Sequence, residues 1–208
     1  MEQKPLIKVV VTGPESTGKS TLCELLARHY NTQCCPEYAR EYLLKHGMDY
    51  SYEDLLYIAK QQLAKEDELV SSMVNGQWSN ERNQPSETDS PFTIHHSPLT
   101  THNSQLLFID TDMYVMKVWC EFVFDKCHKW ILEQIVKRSY DLYLLCNIDL
   151  PWVKDELREY PDPEPRKKLY NIYKDIMINQ RTPWVEISGS PDERLQRAIN
   201  AIDQLVAG

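Results

Sequence analysis

Apolar residues recur along this chain at two spacings. Leu6, Ile7, Val9, Val10 and Val11 crowd into one short β-branched run, whereas Leu22, Cys23, Leu25, Leu26 and Ala27 follow at helical intervals. A strand covered on both faces needs no polar alternation, so the first run predicts an interior parallel strand and the second a helix packed on it. Residues 32–35 predict a second short strand, ended by Pro36, and residues 37–46 a helix stopped by Gly47. Ser51 is the expected N-cap of a longer helix that carries Leu55, Ile58, Ala59, Gln62, Leu63 and Glu66 and runs toward Val70. Strands are expected again at 105–110, 140–146 and 183–187, and a terminal helix from about Pro191 to Val206. Between them, Val115, Val118, Trp119, Phe122 and Val123, then Trp130, Ile131, Ile135 and Val136, recur at helical spacing and read as core. Strands alternating with helices predict an α/β fold, a parallel sheet with helices on both faces.

Two stretches break this rhythm. Residues 71–104 are rich in Ser, Asn, Gln, Thr and Pro, hold His95 and His96, and show no sustained apolar period, which predicts an inserted polar loop. Residues 149–168 combine prolines with Arg158, Arg166 and Lys167, opposed by Glu156, Glu159, Asp162 and Glu164. Such a segment serves either as a lid that closes over a bound anion or as a solvated, charge-balanced connection. The whole of 1–208 is otherwise expected to form a single domain.

The formal charge of −8 argues against nucleic acid as a partner, because backbone-phosphate binding needs a concentrated basic surface. No apolar stretch has the length needed to span a membrane, and the first residues lead directly into a strand, so a soluble, cytoplasmic protein is expected. The six cysteines lie in apolar stretches without C-x-x-C spacing, which suggests small buried hydrophobes in place of zinc ligands or disulfides.

Candidate chemistry centres on Gly13-Pro14-Glu15-Ser16-Thr17-Gly18-Lys19-Ser20-Thr21, which fills the G-x-x-x-x-G-K-[ST] pattern between the first strand and the first helix. Glycines at Gly13 and Gly18 let successive backbone N–H groups point at phosphate oxygens, and the helix N-terminus adds partial positive charge. Lys19 is expected to reach the β and γ phosphates of ATP, and Ser20 to ligate Mg²⁺. Leu106, Leu107, Phe108 and Ile109 end in Asp110, the pattern of a strand that delivers a carboxylate to the metal. Asp112 is either a substrate or metal ligand or the cap of the helix that begins near Met113.

The phosphate loop, together with Glu37-Tyr38-Ala39-Arg40-Glu41-Tyr42, Phe108-Ile109-Asp110-Thr111-Asp112 and Pro151-Trp152-Val153-Lys154-Asp155-Glu156-Leu157-Arg158, resembles the ribosylnicotinamide kinase domain of NadR-type proteins. The motifs stand in family order across nearly the whole chain. The resemblance implies a P-loop kinase fold of strand order 2-3-1-4-5 with a lid, and transfer of the ATP γ-phosphate to the 5′-hydroxyl of nicotinamide riboside. The polar stretch at 71–104 departs from the family pattern, and the chain has no room for the nucleotidyltransferase domain that usually accompanies this one.

With that acceptor in view, either Glu37 or Asp110 is a candidate base for the hydroxyl proton. Arg40 is placed to fix the acceptor or to form a surface ion pair with Glu37. Arg158 and Arg166 are expected to arrive as the lid closes. A cationic nicotinamide ring suits an acidic, aromatic pocket, for which Asp112, Tyr38 and Trp119 are candidates. The alternatives are a kinase of another nucleoside or of a nucleoside monophosphate, and a nucleotide-dependent switch with little turnover. Oligomeric state is not legible in the pattern.

Overall fold

A computed structural model describes residues 5–75, 105–151 and 163–207. The elements run β1 (Leu6–Thr12), α1 (Lys19–His29), β2 (Gln33–Cys35), α2 (Tyr38–His46), α3 (Tyr52–Val74), β3 (Gln105–Asp110), α4 (Met113–Phe124), α5 (Lys129–Lys137), β4 (Leu142–Cys146), α6 (Pro163–Asn179), β5 (Trp184–Ile187) and α7 (Pro191–Ala207). The five strands form one sheet in the order β2-β3-β1-β4-β5, and every pairing is parallel. This is the expected order.

The central strand shows why its sequence is uniformly apolar. β1 lies between β3 (Val10 opposite Ile109) and β4 (Val10 opposite Tyr143), and Val9, Val10 and Val11 are fully buried. Val9 and Val11 face a cluster with Leu22, Leu26, Ile199 and Ile202 from α1 and α7. Val10 faces the other side, with Leu107, Val118, Leu169, Tyr173 and Met177. A third cluster joins Leu55, Ile58 and Leu63 of α3 to Met116 of α4 and Ile131 of α5. Burying a Val, Leu or Ile side chain stabilises by about 1.5–3 kcal/mol, so these layers fix how the strand ends are presented to one another.

The expected start of α3 is confirmed in detail. Ser51 Oγ accepts from Asp54 N, and Asp54 in turn accepts from Ser51 N at 2.8 Å, a reciprocal capping box. Its end differs from expectation: α3 continues past Val70 to Val74, because Met73 is 2 % exposed and anchors the last turn in the second cluster. The rest of the polar stretch, including His95 and His96, lies outside the described residues, as does Arg158. Of the expected lid, residues 163–168 belong to α6, where Leu169, Tyr170 and Tyr173 bury one face against the sheet. Among the described residues, no helix is long and apolar enough to cross a membrane.

Candidate active site

The site forms at the carboxyl ends of β1, β2 and β3, where a parallel sheet with helices on both faces leaves a crevice. The chain leaves β1 at Thr12 and turns through Gly13 at φ 134, Ser16 at φ 55 and Gly18 at φ 76 before entering α1. Gly13 is required by space as well as by conformation: a Cβ there would lie 2.8 Å from the Cys146 carbonyl oxygen at the end of β4. Within the loop, Thr17 Oγ1 and Lys19 Nζ each donate to the Pro14 carbonyl at 2.8 Å. Gly18 N-caps α1, so the partial positive charge of the helix terminus is directed at the loop.

The loop forms one wall of a cleft of about 250 Å³, and residues 13–21 all line it. Glu37 and Arg40 line the same cleft, with Trp119 and Phe122 of α4 and Leu169 and Tyr173 of α6. Glu37 is there because β2 ends at Cys35 and Pro36 turns the chain, leaving Glu37 as the N-cap residue of α2 without a side-chain cap bond. Its carboxyl is pushed above the usual range by burial and by the Asp110 charge, against the pull of Lys19 and Arg40. Trp119 is half-buried, and its indole N–H donates to Tyr50 Oη at 2.9 Å, which fixes the ring in the wall.

Asp110 is 1 % exposed at the end of β3, behind the loop. Burial raises its pKa, while the Lys19 charge and a hydrogen bond from the Ser20 side chain lower it. Its Oδ1 has no hydrogen-bond partner among the described residues. A buried carboxylate oxygen without a partner beside a serine hydroxyl is the hard-oxygen donor set that Mg²⁺ takes, completed by substrate phosphates and water. Ser20 and Asp110 therefore fit the ion.

Three expectations are corrected. Asp112 is committed to the fold: Oδ1 accepts from Tyr114 N and Val115 N at the start of α4, and Oδ2 accepts from Tyr143 Oη at 2.8 Å. Burial pushes its pKa up to about 6 despite the Tyr143 hydrogen bond, and it does not line the cleft. Tyr38 also turns away, because as the first residue of α2 it packs on Tyr42 and Tyr57 with the Lys65 ammonium 4.8 Å from its ring centre. Arg166 already contacts the loop. It is 6 % exposed, and its Nη2 donates to the carbonyls of Ser16 at 3.3 Å and Leu150 at 3.4 Å, already behind the loop.

The sequence reading missed Arg194, near the start of α7, whose buried guanidinium bonds Thr17 O of the loop. No local pattern marks it. Helical spacing predicts a core position for Phe122, yet it lines the cleft, and spacing alone does not separate those two roles.

Comparison with known proteins bears on the family and the fold. Residues 8–80 and 67–194 match the AAA_28 family of AAA domains. The chain belongs to that family. Over 99% of its length this AAA domain is 23% identical to the trifunctional NAD biosynthesis/regulator protein NadR of Salmonella typhimurium, of which it covers 44%. Identity and coverage are the same for NadR of Escherichia coli, so the AAA domain spans less than half the length of these curated relatives. Among solved structures, NadR in complex with NR superposes with a TM-score of 0.63 at 22% identity, over 99% of this chain and 50% of that one. Thymidylate kinase from Ehrlichia chaffeensis superposes with a TM-score of 0.62 at 11% identity, over 95% of this chain and 99% of that one. The fold is the P-loop kinase fold.

Proposed function

We propose that this protein is an ATP-dependent kinase that phosphorylates the 5′-hydroxyl of nicotinamide riboside, with Mg²⁺ as cofactor. The observation that carries the activity is that Glu37 lines the same cleft as the phosphate loop and lies close enough to Lys19 for the two charges to interact. Phosphoryl transfer asks mainly for two reactants held in line and for neutralised charge. The loop N–H groups and Lys19 hold the β and γ phosphates, and Ser20 and Asp110 hold the metal. Bound there, Mg²⁺ offsets charge on the phosphate oxygens. Glu37 orients the acceptor hydroxyl and takes its proton, a role that its raised pKa brings closer to the working range of a general base. Asp110, buried on the metal side and not lining the cleft, is left with the ion.

The nicotinamide acceptor draws support from the likeness to NadR and from Trp119, whose ring lines the cleft and suits a cationic ring by cation-π attraction. With Asp112 and Tyr38 directed elsewhere, Glu37 and Trp119 are the acidic and aromatic components of that pocket. Arg40 at the cleft and the likeness to thymidylate kinase favour a second acceptor class, the nucleoside monophosphates.

The test is ADP release from Mg-ATP with no acceptor, with nicotinamide riboside, and with a panel of nucleosides and nucleoside monophosphates. Selective stimulation by nicotinamide riboside, with nicotinamide mononucleotide identified by mass, is the expected result. Stimulation by a monophosphate alone would replace the acceptor, and no stimulation by any compound would point to a nucleotide-dependent switch.

A further inference from the structure

Arg194 joins three strand ends behind the phosphate loop. It is 4 % exposed, and its Nη1 donates to Thr17 O at 2.9 Å, Nη2 to Asn147 O at 2.8 Å and Nε to Gly189 O at 3.0 Å. The Asp149 carboxylate accepts from Arg194 Nη2, and from Gly189 N at 2.6 Å. The loop after β1, the chain leaving β4 and the turn after β5 thus meet on one planar guanidinium, whose fork of donors a lysine cannot reproduce.

The bond to Thr17 O bears directly on phosphate binding. In a trans peptide the C=O and the following N–H point in opposite directions. Drawing Thr17 O outward to Arg194 therefore turns Gly18 N–H toward the inside of the loop. Arg166 acts likewise on the preceding peptide, since its bond to Ser16 O turns Thr17 N–H inward. Two consecutive amides of the anion cradle are set from behind by arginines of α6 and α7.

We propose that Arg194 is a positioning residue for nucleotide phosphate, one that orients the loop amides without touching the ligand. The inference rests on the phosphate-loop assignment above but not on the identity of the acceptor. It separates from simple attachment of α7 to the sheet by its dependence on phosphate: a misoriented loop weakens ligands that carry a β-phosphate and spares adenosine.

The experiment measures dissociation constants of Mg-ADP and of adenosine by calorimetry, without acceptor, for wild type, Arg194→Gln and Arg194→Lys, well below each melting midpoint. Arg194→Gln is expected to weaken Mg-ADP on the order of 10- to 100-fold, the scale of charge-assisted hydrogen bonds, while adenosine changes less than threefold. Arg194→Lys, which keeps the charge but not the fork, is expected to fall between Arg194→Gln and wild type. Mg-ADP affinity within threefold of wild type in both variants, or equal losses for Mg-ADP and adenosine, would overturn the proposal. Should Arg194→Gln fail to fold, Arg194→Lys and Asp149→Asn carry the same test, with a selective loss of Mg-ADP expected in each. A failed acceptor assay alongside a selective Mg-ADP loss would refute the kinase activity and leave the role of Arg194 standing.

Discussion

Replacing Gly13 by alanine places a methyl group against the main chain of the sheet. The new Cβ lies 2.8 Å from Cys146 O and 3.4 Å from Cys146 N, and the residue is held at φ 134, a conformation that L side chains rarely adopt. Neither neighbour can retreat cheaply. Cys146 is fully buried at the end of β4, opposite Ile187 of β5, and the preceding Leu145 lies opposite Thr12 of β1. A strained backbone conformation costs about 1–3 kcal/mol, and an extra methyl in a packed interior a further 1–3 kcal/mol or so. The expected destabilisation is therefore about 2–6 kcal/mol, against a typical domain stability of about 5–15 kcal/mol. The loop itself is the most yielding part, so it should shift outward and lose the phosphate cradle. Urea unfolding with and without Mg-ATP reads both effects. Wild type should gain about 2.7 kcal/mol at a ligand concentration of roughly 100 dissociation constants, whereas Gly13→Ala should show a lower midpoint and little or no gain. A variant with the wild-type midpoint and the wild-type gain would refute both the close approach and the assignment of the loop.

Glu37→Gln should bind Mg-ATP as wild type does and lower phosphoryl transfer by about 10²- to 10⁴-fold, the usual contribution of a positioned base, as measured by product formation at saturating substrates. Transfer within twofold of wild type would remove Glu37 from the chemistry. Asp54 has its pKa lowered to about 2 from 3.8, chiefly by the Ser51 side chain and then by Tyr42. Its contribution to stability is therefore present above about pH 4 and lost as the pH falls toward 2, so the melting-temperature gap between wild type and Asp54→Asn should close over that interval; a gap independent of pH would contradict the capping box. Burial pushes the thiols of Cys35 and Cys120 up to about 12 and that of Cys146 up to about 11, whereas Cys34 and Cys127 are partly exposed. Brief treatment of native protein with iodoacetamide at pH 8 should alkylate Cys34 and Cys127 first, as read by peptide mass, and equal labelling of Cys35 or Cys146 would contradict the packing.

Features of this protein whose physics is local were legible in the order of its residues. A β-branched run, two glycines at fixed spacing, a lysine and a hydroxyl specify a strand, a turn and a helix N-terminus, because backbone conformation there depends on neighbouring residues. The same holds for Glu37 after Pro36, for the Ser51 cap, and for Asp110 at the end of an apolar run. Which way a side chain with two available partners turns was set by packing between distant elements. Asp112 could cap a helix or face a ligand, and Tyr143, on a different strand, holds it as a cap. Tyr38 follows Glu37 directly, yet the helical rotation between adjacent residues carries it out of the cleft and onto α3. Arg194 is separated from Thr17 by 177 positions, and no spacing rule links them. Their meeting comes from the parallel sheet, which brings the ends of β1, β4 and β5 to one edge, and from burial, which leaves the carbonyls there in need of a donor.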